Sequence, residues 1–275
     1  MKIKFTSELK WHIILILFII VSLFPIVFAI SSSFKTLNEA YSNVFGIIPN
    51  SPTINNYTEV FTRLPFFKIT INTFSIAACV TLFKTITALF AAYSFVYFDF
   101  KYKNIIYFFL ISTIFIPFTV TMIPNYLTIS KLNLNDNLLG VILPQLSDAT
   151  GIFLIRQAIR GVPPSLIEVA KLEKIGHLRI IKDILVPLVK PAIISTGIMF
   201  FINSWNEYVW PVLILKSKEN FTLPLALQLF ISSEGGTDFT IAMAVSVVTM
   251  IIPLVLYIIF QKYIINTFAS SGIKG

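Results

Sequence analysis

The chain has 275 residues, of which 56% are hydrophobic and 12% charged, with 27 Phe and a mean hydropathy of +0.84. Soluble domains carry about 25% charged residues, so this balance excludes an ordinary soluble enzyme and points to an integral membrane protein. The net charge of +8 would suit nucleic acid, but its distribution follows membrane topology instead, and the single Cys79 rules out a disulfide or a cysteine metal site.

A bilayer core of about 30 Å takes about 20 apolar residues per helix, each rising about 1.5 Å. Six stretches approach or exceed that length: residues 13–30, 71–97, 105–127, 138–159, 192–215 and 241–260. Their apolar runs are continuous, which predicts helices rather than the alternating strands of a barrel. Lys2, Lys4 and Lys10 precede the first stretch, whose 18 residues exceed the core of a secretory signal, and it is read as a retained helix. Residues 31–69 form a long loop in which Pro49, Pro52 and Pro65 break helix and Asn55-Asn56-Tyr57 reads as a turn. Lys84 interrupts the second stretch and Asp148 the fourth, and a very short turn at residues 99–103 joins the second to the third. Pro25, Pro117, Pro124, Pro144, Pro211 and Pro253 fall within the apolar runs and predict kinks. A polar segment, Ser232-Ser233-Glu234-Gly235-Gly236-Thr237, precedes the last stretch. With both termini cytoplasmic, fourteen of the 21 Lys and Arg residues fall on inside segments and six on outside segments. That bias, with an even number of spans, sets the expected orientation.

Residues 160–190 hold nine of the chain's 34 charged residues, an unusual concentration in so apolar a protein. Pro163-Pro164 ends any helix arriving from the fourth stretch. Ser165 then reads as an N-cap, with Glu168 three residues on completing a capping box. Leu166, Ile167, Ala170 and Leu172 are expected to share a face. Leu178, Ile181, Ile184 and Leu185 are expected to line a second short helix, which Pro187 and Pro191 close before the fifth stretch. The two short helices, roughly at right angles, would project as a knob from the membrane.

The order Glu168-Val169-Ala170, then Ile184, Val186 and Pro187, resembles the EAA loop of importer-type ABC transporter permeases, most of all the carbohydrate branch related to the maltose permease subunits. The likeness runs along nearly the whole chain. It takes in Ser32-Ser33-Phe34-Lys35-Thr36, Met122-Ile123-Pro124, Gly151-Ile152-Phe153-Leu154-Ile155-Arg156-Gln157, Ser204-Trp205-Asn206-Glu207-Tyr208, Thr222-Leu223-Pro224 and the tail ending Gly272-Ile273-Lys274-Gly275. The family pattern has Gly at the seventh loop position, where this chain has Lys174, and Gly176 can supply the turn in shifted register. The second and sixth positions, usually Ala and Asp, are Val169 and Glu173.

The resemblance implies an all-α permease fold with six transmembrane helices and a cytoplasmic coupling loop, in one domain over residues 1–275. It implies a multi-pass place in a bacterial cell membrane. It also implies that Glu168, Val169, Ala170, Glu173, Lys174, Gly176, Ile184 and Pro187 couple the chain to a pair of cytoplasmic ATP-binding subunits. A second permease subunit and an extracytoplasmic sugar-binding protein complete the expected assembly. The chain has no Gly-x-x-x-x-Gly-Lys-Ser/Thr phosphate loop, so it is expected to perform no chemistry. No cofactor is expected on it, and ATP with Mg belongs to the partner ATPase.

Ionisable residues inside spans are functional candidates by default. Lys84, Asp148 and Glu207 are the three here. Gln145 accompanies Asp148, and Asn203, Trp205, Asn206, Glu207 and Tyr208 form the densest polar and aromatic cluster. Sugar hydroxyls pair with amides and carboxylates, and aromatic rings cover a sugar's apolar face, so these residues are candidates for a substrate path. Polar side chains also bridge helices within membranes, and that alternative stays open, as does a fixed pair between Lys84 and Asp148. His12 and His177 have no metal-binding companion and read as surface or interface residues. Two other functions compete with an ATP-driven sugar importer: a stand-alone secondary transporter or channel, and a membrane scaffold without transport.

Overall fold

The computed structural model describes residues 5–231 and 238–272, with side chains described for residues 9–231 and 238–262. Lys2, Lys4, the segment from Ser232 to Thr237 and Ile273-Lys274-Gly275 lie outside the described residues. Among those described there is no strand. Helix α1 spans Phe5–Ser33, α2 Leu37–Ser42, α3 Asn55–Arg63 and α4 Phe66–Tyr97. Helix α5 (Lys103–Ser112) runs into a 3-10 turn (Thr113–Phe115), followed by α6 (Phe118–Lys131) and α7 (Leu138–Ile142). Then come α8 (Ala149–Arg160), α9 (Pro164–Leu172), α10 (His177–Leu188), α11 (Lys190–Trp205), α12 (Val209–Ile214), α13 (Leu223–Ile231) and α14 (Phe239–Gly272).

Three helices are long and apolar enough to cross a membrane alone, over Leu9–Ser33, Phe66–Tyr97 and Phe239–Lys262. Three bent pairs raise the count to six where each pair is one span, so the chain is a multi-pass membrane protein. The bends have local causes. Between α5 and α6 the chain turns by 99° at Ile116-Pro117. Proline disfavours helix in the residue before it, and Ile116 is extended at ψ 115. The expectation of a kinked helix over residues 105–127 therefore gives way to a break. Pro25, Pro124 and Pro253, by contrast, sit inside continuous helices. The fourth stretch bends by 46° where Asp148, extended at φ −151, starts α8 and accepts the Gly151 N–H at 3.1 Å. The fifth stretch also breaks. Helix α11 ends at Trp205, and the Glu207 carboxylate accepts the Trp210 N–H at 3.2 Å to open α12.

The chain divides into two compact units. One comprises Met1–Phe67 with Leu223–Ile251. Its organiser is Asn56, whose amide donates to the Ser33 and Lys35 carbonyls at 2.8 Å while its oxygen accepts from Thr240 at 3.0 Å. Asn55-Asn56-Tyr57 thus opens α3 rather than forming the expected turn, because the buried amide joins three segments. Lys35 is fully buried, its ammonium held by the carbonyls of Asn43 and Gly46. Glu39 is buried too, accepting the Asn50 N–H at 2.6 Å and that of Ser51.

The second unit comprises Lys68–Thr222 with Ile252–Gly275. Its core joins Ala88, Ala92 and Tyr93 of α4 to Ile152, Ile155 and Ile159 of α8, Ile167 and Ala170 of α9, and Ile180 and Leu185 of α10. A second anchor lies between α6 and α7, where Asp136 accepts the Lys216 and Ser217 N–H groups at 2.9 and 3.0 Å. Asn72 donates to the Glu219 carbonyl at 2.8 Å.

Candidate functional site

The loop over residues 160–190 is built on its buried side. Ile167 and Ala170 of α9, and Ile180, Ile181 and Leu185 of α10, enter the core. Leu166 and Leu172, expected on the same face as Ile167, are exposed, and so is Leu178. In α10, Ile180–Leu185 is wound as a π-helix with Ile180, Ile181 and Leu185 inward and Ile184 half-buried, while Leu178 precedes that segment and stays outside. Pro187 does not close α10; it lies inside it and is exposed. The chain bends by 85° at Val189, between α10 and α11.

The capping box does not form. Helix α9 starts at Pro164, with Pro163 as N-cap and no side-chain cap bond. Pre-set φ makes proline a good first residue, and it displaces Ser165 into the first turn. Glu168 is exposed with no hydrogen-bond or ion-pair partner among the described residues, so its carboxylate is not spent on the helix.

The turn between α9 and α10 sits at the family's glycine position. Lys174 takes the left-handed conformation at φ 56. The Ile175 N–H reaches the Ala170 carbonyl and the Lys174 N–H the Lys171 carbonyl, both at 3.0 Å, which is a Schellman end. Gly176 lies at φ −66, ψ 150, open to any residue, and a Cβ there would meet nothing within 4 Å. The register is therefore not shifted: lysine occupies the strained position and glycine an unstrained one.

His177 fastens the loop to α4. Its Nδ1 lies 2.8 Å from the Tyr93 hydroxyl, and its ring lies 4.8 Å from that of Phe98. Sequence reasoning left Tyr93 out; the cluster of Tyr93, Tyr97 and Phe98 at one helix end was the available signal.

Within the spans, the structure brings Lys84 and Asp148 together at 3.4 Å, with side chains 15% and 28% exposed. Lys84 also lies over the Phe200 ring at 5.2 Å. Asp148 thus serves α8 and Lys84 at once, one oxygen to each. Nearby, α8 and α11 cross closely: a Cβ on Gly151 would stand 2.3 Å from Phe200. Gln145 donates to the Val141 carbonyl at 2.9 Å, a helix-internal bond. Of the cluster on the fifth stretch, Asn203 and Asn206 are exposed, Glu207 and Tyr208 half-buried. Trp205 is fully buried and stacks on Phe201 at 5.7 Å. Trp210 was not among the substrate-path candidates, yet it donates from Nε1 to the Gly140 carbonyl at 3.2 Å and locks α12 to α7. Among the described residues no group of His, Cys, Asp and Glu could hold a metal ion.

Comparison with known proteins places this architecture. The chain is 28% identical over 267 residues to the sn-glycerol-3-phosphate transport system permease protein UgpE of Yersinia pestis, covering 94% of this chain and 95% of that one. It is 28% identical over 258 residues to the arabinooligosaccharides transport system permease protein AraQ of Halalkalibacterium halodurans, covering 93% and 92%. A chain in the crystal structure of a bacterial ABC transporter involved in the import of the acidic polysaccharide alginate shares the fold, with a TM-score of 0.83 at 22% identity over 94% of this chain and 96% of that one. A chain of the bacterial alginate ABC transporter in complex with alginate pentasaccharide-bound periplasmic protein aligns with a TM-score of 0.66 at 13% identity, over 93% and 92%. The family model described as binding-protein-dependent transport system inner membrane component matches residues 84–268. With helices that make up to six apolar spans and this match, the chain belongs to the family of binding-protein-dependent transport system inner membrane components.

Proposed function

We propose that this chain is one of two permease subunits of an ATP-driven importer for sugars or oligosaccharides, and that it forms half of the path across the membrane. The observation that carries the reading is the two-sided loop over residues 160–190. One side is anchored in the core, while Val169, Leu172 and Leu178 stand 58%, 81% and 72% exposed beside the charges of Glu168, Glu173 and Lys174. Apolar side chains grouped on a polar projection call for a partner surface. In this reading a pair of cytoplasmic ATP-binding subunits covers them, and ATP with Mg acts there.

Coupling then runs through rigid contacts. The ATPase pair closes, α9 and α10 move as a body about the Val189 bend, and the His177–Tyr93 contact passes the motion to α4. Ala170 and Ile184 hold the loop to the core, while Glu168, Val169, Gly176 and Pro187 face the partner. Lys84 lies on α4 nine residues before Tyr93, about 13 Å along a helix, so the same motion loads the Lys84–Asp148 pair. Asn203, Asn206 and Tyr208, at or near the break between α11 and α12, offer amides and a phenol to sugar hydroxyls.

The excess of Lys and Arg supports an orientation with both termini and this loop in the cytoplasm. An extracytoplasmic sugar-binding protein delivers cargo on the opposite face. The carbohydrate class is supported by relatives named for arabinooligosaccharides and sn-glycerol-3-phosphate.

Co-purification of the tagged chain in mild detergent, read by mass spectrometry, tests the assembly. The expected result is an ATP-binding subunit and a second permease. Leu172→Asp is expected to lose the ATP-binding subunit and keep the permease. A chain that purifies alone, in a form that still transports, would refute the reading.

A further inference from the structure

Arg156 lies on α8 one turn before its last residue, Arg160, and Tyr107 lies one turn into α5 from Lys103. Both therefore stand about 6 Å inside the ends of their helices. The Arg156 guanidinium stacks on the Tyr107 ring, its Cζ 4.0 Å from the centroid. Its Nε is buried without a hydrogen-bond partner, and so is the Tyr107 hydroxyl. No carboxylate or carbonyl among the described residues takes this guanidinium. Arginine does not shed its proton in a protein, and leaving its charge unmatched at this depth is costly. Lys84 has the same problem and solves it with Asp148. For Arg156 the described chain offers only a ring face, and its terminal nitrogens, which are not among the buried atoms, are open to an outside acceptor.

The surroundings indicate which anion. Lys101, Lys103 and Arg160 lie at the same ends of α5 and α8. Lys103 is engaged by Asp99 at 3.5 Å and the Phe98 carbonyl at 2.8 Å, and Lys101 lies over Tyr102. Deeper along α5, Ile105, Phe108 and Phe109 are 53%, 67% and 65% exposed. A cation at the level of the helix ends, above an open apolar helix face, matches a phospholipid: phosphate at the guanidinium, acyl chain along the apolar side chains. A carboxylate from a second subunit would satisfy the guanidinium but make no use of the exposed apolar face of α5.

We propose that Arg156, backed by Tyr107, binds the phosphate of an anionic phospholipid that lies along α5. This inference rests on the chain spanning a membrane and not on the identity of its cargo.

Native mass spectrometry of the purified transporter, titrated with phosphatidylglycerol or phosphatidylcholine, tests it. Phosphatidylcholine carries the same phosphodiester beside its own quaternary ammonium, so the net negative headgroup is favoured over it by about tenfold. Arg156→Gln is expected to abolish that preference and Lys131→Gln, at an exposed position at the end of α6, to keep it. Millimolar inorganic phosphate is expected not to displace the lipid, and displacement would overturn the lipid assignment in favour of a free anion. Equal retention of the two lipids, or a preference indifferent to Arg156→Gln, would overturn the site itself. So would loss of the second permease subunit in Arg156→Gln with lipid preference intact, because the acceptor would then be a partner carboxylate. The wild-type protein supplies a readout that needs no variant: its melting midpoint should rise with phosphatidylglycerol and not with phosphatidylcholine, and no rise would refute the proposal.

Discussion

Replacing Lys174 by Gly should tighten the turn that joins α9 to α10. At φ 56 the lysine Cβ crowds its own backbone, and a non-glycine residue bears about 1–2 kcal/mol for that conformation. Glycine removes the crowding but adds about 0.5–1 kcal/mol of unfolded-chain entropy. The net expectation is about 0–1.5 kcal/mol in favour of the closed turn, centred on about 0.75, the difference between those two terms. The bonds that report it are the Ile175 N–H to Ala170 and the Lys174 N–H to Lys171. Amide hydrogen exchange measures the opening of such a turn directly, and Ile175 should exchange about two- to five-fold more slowly in Lys174→Gly. Gly176→Ala is the control: its backbone suits alanine and its Cβ would meet nothing within 4 Å. It should therefore stabilise by about 0.4–1 kcal/mol through the unfolded chain alone. Unchanged or faster exchange at Ile175 in Lys174→Gly would refute the reasoning, because Lys174 would not then hold a left-handed conformation.

Lys84→Met should lower stability in detergent by about 2–3 kcal/mol, because it strands the Asp148 charge, and adding Asp148→Asn should recover most of that loss in a double-mutant cycle. Gly151→Val should destabilise by about 1–3 kcal/mol through its clash with Phe200, with Phe200→Ala relieving part of it, read by the melting midpoint. The Ser217 hydroxyl and the Lys216 and Ser217 N–H groups hold the Asp136 carboxyl well below the usual carboxylate range. A depressed carboxylate contributes stability that is complete above its unfolded value of about 4 and is lost only as pH falls through the folded value. Amide protection at Lys216 and Ser217 should therefore persist from neutral pH down to about 4, and Asp136→Asn should weaken it at neutral pH.

Six apolar stretches were legible because membrane crossing is a matter of length and hydropathy, which composition reports without tertiary knowledge. Lys84 and Asp148 were legible as costly groups, although only the fold could place them 3.4 Å apart. The loop was legible as a pair of short helices, but its details were not. Ser165 has the side chain of a cap, yet Pro164 takes the first helical position and removes the opportunity. A helix period predicted Leu178 inward, whereas it lies exposed ahead of the π-wound segment of α10. Gly176 drew attention as the flexible residue, whereas the left-handed position was set by where α9 runs out, at Lys174. Asn56 read as a turn residue because its buried partners lie far apart in sequence, and Arg156 read only as part of the family likeness because only the fold leaves its guanidinium without an acceptor.

The most direct test of the central claim is uptake into proteoliposomes holding this chain with its co-purified partners. ATP is enclosed, the binding protein stands outside, and a panel of labelled oligosaccharides is supplied. The account predicts uptake that needs both ATP and the binding protein and that fails in Leu172→Asp. Uptake by this chain alone, driven by an ion gradient without ATP, would contradict it.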